Sequence, residues 1–252
     1  MDLGLKDKIA LVTGAGSPIG FGRSIALTLA KEGCHIIAND INFEDAKQAA
    51  SEIETSGRKA IAYKADVTKS AEVNNMVKAA LEQFGKVDIL VNNAGIISPQ
   101  KPFVETTEEE WDRDIDVNLK GVAICTKAVL SQMISRKSGK IINISSSGGK
   151  IGVANGALYC AAKAAVMVFT RSLAREVAPL GINVNSVAPG PAKTGLSRGV
   201  PPDTLERFVA MLPLGRATTT QDIANMVAFL ASDVASDIVG QTFSVDGGLT
   251  MT

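Results

Sequence analysis

Histidine and cysteine are nearly missing from this chain of 252 residues, which has one of the first and three of the second. The single histidine, His35, sits in an apolar stretch beside Cys34, where a core or sheet role outweighs catalysis. A histidine-dependent triad therefore has nothing to be built from, and a histidine-rich metal site is excluded, so no metal is expected. Cys34, Cys125 and Cys160 are far apart and odd in number, which suggests neither a disulfide framework nor a zinc spacing. Net charge is missing too, with 26 basic against 26 acidic side chains. The scattered Lys and Arg form no long run, so nothing electrostatic calls for nucleic acid or an anionic membrane surface. No apolar run reaches the roughly 18 residues that a bilayer span needs, and the N-terminus lacks a basic-then-apolar signal pattern. A cytoplasmic location is expected. No Pro/Ser-rich linker interrupts residues 1–252, and at 46% hydrophobic composition the chain can bury a large core. Strand-like and helix-like stretches alternate throughout, which predicts one α/β domain.

What is present centres on Ser146 and on Tyr159 and Lys163. Four residues apart on a helix, Tyr159 and Lys163 share a face, and a strand end can bring the serine to them. A tyrosine titrates near ~10 and carries protons poorly at neutral pH. Lowering it by about three units takes on the order of 4 kcal/mol, which a partly desolvated Lys163 can largely supply. The positive end of the helix would add to this. The sequence thus predicts an acid-base device with a depressed tyrosine pKa, in which the Ser146 hydroxyl holds the substrate oxygen.

The flanking chain supplies a nucleotide site. An apolar strand over 8–12 runs into a turn carrying Gly14, Ser17, Gly20, Phe21 and Gly22, and a helix over 23–32 follows. Glycines in that context let backbone amides approach a pyrophosphate at the positive helix end. A second strand, 34–39, ends at Asp40, which can accept from both ribose hydroxyls and would repel a 2′-phosphate, favouring NAD over NADP. Asn42 can cap the next helix unaided. Strand 61–65 leads to Asp66 and Val67, where an adenine edge would lie, and Thr68 or Ser70 is predicted to cap the helix running to Phe84. Strand 87–91 delivers Asn92, Asn93, Ala94 and Gly95, small residues that leave room for a flat ring. Thr107 to Glu110 forms a capping box opening a long helix to 136 that contains Trp111 and Asn118. Strand 140–145 presents Ser146, a loop over 148–158 leads to the Tyr159 helix, and strand 182–187 precedes Pro189, Gly190 and Thr194. The irregular segment 191–216, with one amphipathic piece at 205–212, reads as a lid. A helix over 221–231 and a strand over 241–245 complete the sheet.

In that order and approximate spacing, the glycine turn, Asp66-Val67, Asn92-Asn93-Ala94-Gly95, Asn118, Ser146, Tyr159/Lys163 and Pro189-Gly190 to Thr194 resemble the short-chain dehydrogenase/reductase family. The resemblance covers essentially the whole chain. It implies a Rossmann fold with a seven-stranded parallel sheet in order 3-2-1-4-5-6-7, helices on both faces and a nicotinamide cofactor across the strand ends. It further implies that Ser146, thirteen residues before Tyr159, polarises the substrate oxygen and that Tyr159 is the acid or base. Lys163 would lower the tyrosine pKa and hold the nicotinamide ribose, and Asn118 would keep a water in the relay. Pro189, Gly190 and Thr194 would seat the nicotinamide.

Two departures matter. Five residues, not three, separate Gly14 from Gly20, as in the enoyl reductase branch, but that branch spaces its tyrosine and lysine more widely than Tyr159/Lys163, which argues against enoyl reduction. Pro18 stands near where NADP-preferring members carry a basic residue. The chain is especially similar to members that reduce 3-oxoacyl thioesters, including its Pro213-Leu214-Gly215-Arg216 segment. Asp40 and Leu180 argue instead for an NAD-linked catabolic dehydrogenase acting on a secondary alcohol, cyclic or a coenzyme A thioester. The alternatives are an NADPH-dependent 3-oxoacyl reductase and a catalytically silent dinucleotide sensor or structural subunit. Apolar positions on several faces of the two longest helices, such as Ile124, Val129, Val168 and Phe169, suggest subunit contacts, and the resemblance implies a homotetramer.

Overall fold

A computed structural model describes residues 2–195 and 202–251; the predicted lid over 191–216 lies partly outside these residues. Seven parallel strands form one sheet in the order β3-β2-β1-β4-β5-β6-β7, the predicted order. In chain order they are β1 (Ile9–Val12), β2 (His35–Asp40), β3 (Ala60–Lys64), β4 (Ile89–Asn92), β5 (Gly139–Ile144), β6 (Ile182–Pro189) and β7 (Thr242–Val245). Parallel strands buried on both faces read as continuous apolar runs, and β1 shows why. Ala10 and Val12 enter one core with Ile25, Leu29, Ile53 and Val227, while Ile9 and Leu11 enter the other with Met76, Val129, Met133 and Leu173.

The first core is covered by α1 (Phe21–Lys31), α2 (Phe43–Thr55) and α9 (Thr220–Ala231). The second lies under α3 (Ser70–Phe84), α5 (Gly121–Arg136) and α7 (Ala157–Val177). Side-chain caps set several starts. Asn42 accepts from the amides of Glu44 and Asp45 at α2, and Thr219 forms a capping box with Asp222 at α9. The helix α3 departs from expectation: Lys69 occupies its cap position with no side-chain bond. Thr68 instead donates to Asp66 Oδ1 at 2.8 Å.

The predicted long helix over 107–136 is not continuous. The capping box of Thr107 and Glu110 opens α4 (Glu108–Ile115) as expected, but a π-helical turn at Asp116–Lys120 separates it from α5. Such turns insert one residue into a helix and free a backbone group from the regular ladder. The loop expected at 148–158 contains a short helix, α6 (Gly148–Ile151), and the amphipathic piece is α8 (Pro202–Ala210). The segment Ala157–Leu180 is long and apolar enough to cross a membrane by composition, contrary to the sequence reading. Here it is a core helix, with Val166, Ala174 and Val177 buried against the second face of the sheet. Of the apolar positions expected to meet other subunits, Val129 is fully buried and Ile124 and Phe169 pack on the core. Val168 remains 52% exposed.

Candidate active site

In an open parallel sheet the crevice forms beyond the C-terminal strand ends, where the order reverses. That point lies between β1 and β4, which are paired directly through Val12 and Val91. A groove of about 910 Å3 opens there, lined by Gly14, Ser17, Gly20, Phe21, Asp40, Asp66, Val67, Ala94, Gly95 and Thr194 of the predicted cofactor set. Beside it lies a chamber of about 200 Å3 that takes in Asn118, Ser146, Tyr159, Lys163, Pro189 and Gly190. Phe21, Gly95 and Thr194 line both. Gly22 lines neither, and Asn92 is the second exception. It is 2% exposed and donates to Thr126 Oγ1 at 3.0 Å and Asn143 Oδ1 at 2.8 Å, bracing β4 from inside. Its neighbour Asn93 takes the place expected for it.

The glycine turn is held close to β4. Gly14 has φ +63, a left-handed conformation that glycine adopts without strain. Asn93 Nδ2 donates to the carbonyls of Thr13 (2.8 Å) and Gly14 (3.0 Å), and Thr13 Oγ1 accepts from the amides of Asn93 and Ala94, both at 3.0 Å. A Cβ on Gly22 would stand 2.2 Å from the Gly14 carbonyl oxygen. A Cβ on Gly95 would meet Asn118 Oδ1 at 2.9 Å and Lys163 Nζ at 3.3 Å. The bare backbone around the N-terminus of α1 is the cradle a dinucleotide pyrophosphate requires, so these residues fit such a group.

At the far end of the groove, Asp40 is fixed through both oxygens. Oδ2 accepts from the Gly16 amide at 2.8 Å and Oδ1 from the Asn42 amide at 3.0 Å. Among the described residues, the charged groove-lining ones are Asp40, Asp45, Asp66, Glu109 and Asp116, with Arg113 as the basic one. Asp66 turns the chain through its bonds from the Thr68 amide and hydroxyl.

Ser146 lies two residues beyond β5, and its Oγ accepts from the Gly148 amide at 3.1 Å. Ser146 and Tyr159 line the same chamber. Lys163, 4% exposed, has its Nζ 5.9 Å from the Tyr159 ring centroid and donates to the Ile144 carbonyl at 3.0 Å. Burial lowers its pKa from 10.5 to about 8. The expected depression of the tyrosine is not found. Burial pushes the Tyr159 phenol up, the Ser146 hydroxyl pulls against it, and Cys160 and Asp114 add to the rise. The Lys163 amine is bonded instead to the Ile144 carbonyl.

Asn118 sits fully buried in the π-helical turn. Its Oδ1 accepts from the Ile96 amide at 3.2 Å. Its Nδ2 donates to the carbonyls of Ile96 (3.0 Å) and Asp114 (2.9 Å). The side chain thus clamps the strand-end loop to the helix. Sequence reasoning did not single out Asp114, 5% exposed, whose Oδ1 accepts from the Ser98 amide and hydroxyl at 3.1 and 2.9 Å. Burial raises its pKa. Cys160 lines the chamber, and burial raises its pKa. The other two cysteines are pushed up to about 12 by burial and are inert. His35 lies at the opposite end of the sheet, stacked on Phe84 at 6.0 Å.

Known proteins similar to this chain give its class. A family model described as enoyl-(acyl carrier protein) reductase matches residues 14–250. A 3-oxoacyl-(acyl-carrier-protein) reductase of Staphylococcus epidermidis is 45% identical over 246 residues, covering 97% of this chain and 100% of the relative. A cis-4-hydroxycyclohexanecarboxylate dehydrogenase of Sinomonas cyclohexanicum is 41% identical over 244 residues, 97% of each. A 3-oxoacyl-(acyl-carrier-protein) reductase of Synechocystis is 41% identical over 249 residues, 98% of each. Sheet, groove and relatives agree on a nucleotide-binding oxidoreductase acting on CH–OH groups. The chain belongs to the short-chain dehydrogenase/reductase family.

Proposed function

We propose that the protein is an NAD-dependent dehydrogenase that interconverts an uncharged, largely apolar secondary alcohol and its ketone. The observation that carries the cofactor choice is the Asp40 carboxylate, fixed at the end of β2 by the Gly16 and Asn42 amides. Its remaining lone pairs suit two ribose hydroxyls, whereas a 2′-phosphate would meet Asp40 and Asp45 together. The substrate class follows from the chamber. Ile96, Ile97, Val153, Leu205, Phe208 and Leu249 line it, and among the described residues Lys163 is the basic group in its lining. Since that amine is bonded to Ile144, an apolar ring or acyl chain fits better than an anionic head.

In this reading a bound nicotinamide accepts or returns the hydride. Ser146, oriented by the Gly148 amide, donates its hydroxyl to the substrate oxygen. Tyr159 takes the proton of an alcohol or gives one to a ketone. Lys163, with a pKa near the working pH, restores the tyrosine's protonation state. Asn118 holds the Ile96 backbone and the π-helical turn in place beside the lysine. Pro189, Gly190 and Thr194, which line the chamber, would hold the nicotinamide. The exposed Phe103, Val104 and Val168 suit burial between copies in a homotetramer.

Reduction of 3-oxoacyl thioesters with NADPH is the second reading, favoured by the name of the 45% identical relative. The test is nicotinamide absorbance with NAD and NADP in parallel, over cyclic and open-chain secondary alcohols, their ketones and a 3-oxoacyl thioester. Alcohol oxidation with NAD upholds the proposal. Thioester reduction with NADPH alone overturns both the cofactor and the substrate reading.

A further inference from the structure

A buried guanidinium that the proposed chemistry does not use lies directly beneath the lengthened glycine turn. Arg23, in the first turn of α1, is 3% exposed. Its Nε donates to the Ala15 carbonyl at 3.2 Å, and its Nη2 donates to the Gly16 carbonyl and, at 3.0 Å, to the Asp45 carbonyl. Nη1 lies 2.9 Å from Glu52 Oε1, close enough for an ion pair but not aligned as a hydrogen bond. The aligned bonds of this arginine therefore go to the turn and to the start of α2.

The peptide between Ala15 and Gly16 is gripped at both ends. Its carbonyl accepts from Arg23 Nε, and its N–H donates to Asp40 Oδ2. Guanidinium, peptide and carboxylate form one chain of hydrogen bonds in which each polarises the next. Gly16 has no space for a side chain there: a Cβ would stand 2.6 Å from Asp40 Oδ2 and 2.8 Å from Asp45 Cβ. Beyond it the turn runs outward through exposed Pro18 and Ile19. A turn with five residues between Gly14 and Gly20 has more freedom than a shorter one, and Arg23 removes that freedom on the side facing the groove.

We propose that Arg23 is a positioning residue for dinucleotide selection, holding the Ala15–Gly16 peptide so that its amide keeps the Asp40 carboxylate aimed into the groove. This rests on the reading of Asp40 as the ribose acceptor. Without the guanidinium the peptide can rotate, the Gly16 amide leaves Asp40, and the carboxylate loses its fixed aim. Binding of NADH then weakens while that of NADPH does not, because a swinging carboxylate repels a 2′-phosphate less.

The test is fluorescence titration of the purified full-length protein with NADH and NADPH, beside thermal melting without nucleotide. The proteins are wild type, Arg23→Met, Arg23→Lys and Glu52→Gln. Arg23→Met is expected to weaken NADH binding about tenfold, the equivalent of one charge-assisted hydrogen bond, and to lower the NADH to NADPH preference by a similar factor. Arg23→Lys, which can still reach one carbonyl, should fall between. Glu52→Gln should lower the melting temperature without moving the preference. A lower melting temperature for Arg23→Met with its preference within about twofold of wild type would overturn the proposal. If Arg23→Met does not fold, an unchanged preference in Arg23→Lys does the same. A wild type that prefers NADPH sinks the reading of Asp40 instead. Arg23 is then judged on NADPH affinity alone, where a loss in Arg23→Met but not in Glu52→Gln upholds positioning and no loss refutes it.

Discussion

Lys163 puts stability and chemistry in opposition, and the conflict can be measured. Its pKa falls from 10.5 to about 8 because the ammonium is desolvated in the core of the site. That difference corresponds to about 3 kcal/mol by which the folded state disfavours the charged form. Below pH 8 both folded and unfolded chains carry the proton, and the full cost is present. Between pH 8 and 10.5 the unfolded chain binds more protons than the folded one, so stability rises with pH. Replacing Lys163 by Met keeps most of the side-chain volume and removes the charge, but it leaves the Ile144 carbonyl without its donor, a loss of about 1–3 kcal/mol. At pH 7 the variant is therefore expected to equal the wild type or exceed it by up to about 2 kcal/mol, while turnover collapses. From pH 7 to 10.5 the difference should swing toward the wild type by about 3 kcal/mol. Urea denaturation of both proteins across that range reads the swing directly. Parallel stability profiles would show that the ammonium is not desolvated, and the poised-lysine argument would fall with it.

Tyr159→Phe should lower turnover by about 10²–10⁴ and leave NADH affinity nearly unchanged; surviving turnover would remove the acid-base role. Burial raises the pKa of Asp114, so its folded form holds a proton more tightly than its unfolded form and stability is lost as pH rises through the carboxylate range. Asp114→Asn keeps the acceptor for Ser98 and should melt higher at pH 7, with the gain disappearing in acid; calorimetry at two pH values decides. Gly22→Ala places a Cβ 2.2 Å from the Gly14 oxygen and 2.5 Å from Asn93 Nδ2. It should cost about 1–3 kcal/mol and weaken NADH binding, and a wild-type melt with wild-type affinity would show that the cradle has slack.

How much of this was legible beforehand depends on whether the signal was local. Strand order and the capping box at Thr107 rest on spacing and residue type over short spans, and the structure bears them out. The π-helical turn at Asn118 was not legible, because apolar periodicity continues through it and only an indifferent helix former in mid-helix hinted at it. Asn92 and Asn93 are indistinguishable in composition, and β4 reaching one residue further than expected sends the first into the sheet and the second toward the glycines. The rise in the Tyr159 pKa depends on burial and on Asp114, 45 positions away, which no helical spacing connects to it. Arg23 carries no local signal beyond opening the predicted helix over 23–32. Its burial follows only once α2 folds over α1 and offers the Asp45 carbonyl.

The π-helical turn also makes the tolerance of the helix that follows one-sided. An α-helix advances about 100° per residue, and a π-helical turn takes up one extra residue, so a single deletion between Asp116 and Lys120 would be absorbed by regular α-helix. Val122, Cys125, Val129 and Met133 would stay sealed in the core. An insertion has no such outlet and would turn all of α5 by more than a quarter of a circle. A one-residue deletion would therefore spare the core and disturb the site, because the turn that holds Asn118 against Ile96 would be gone.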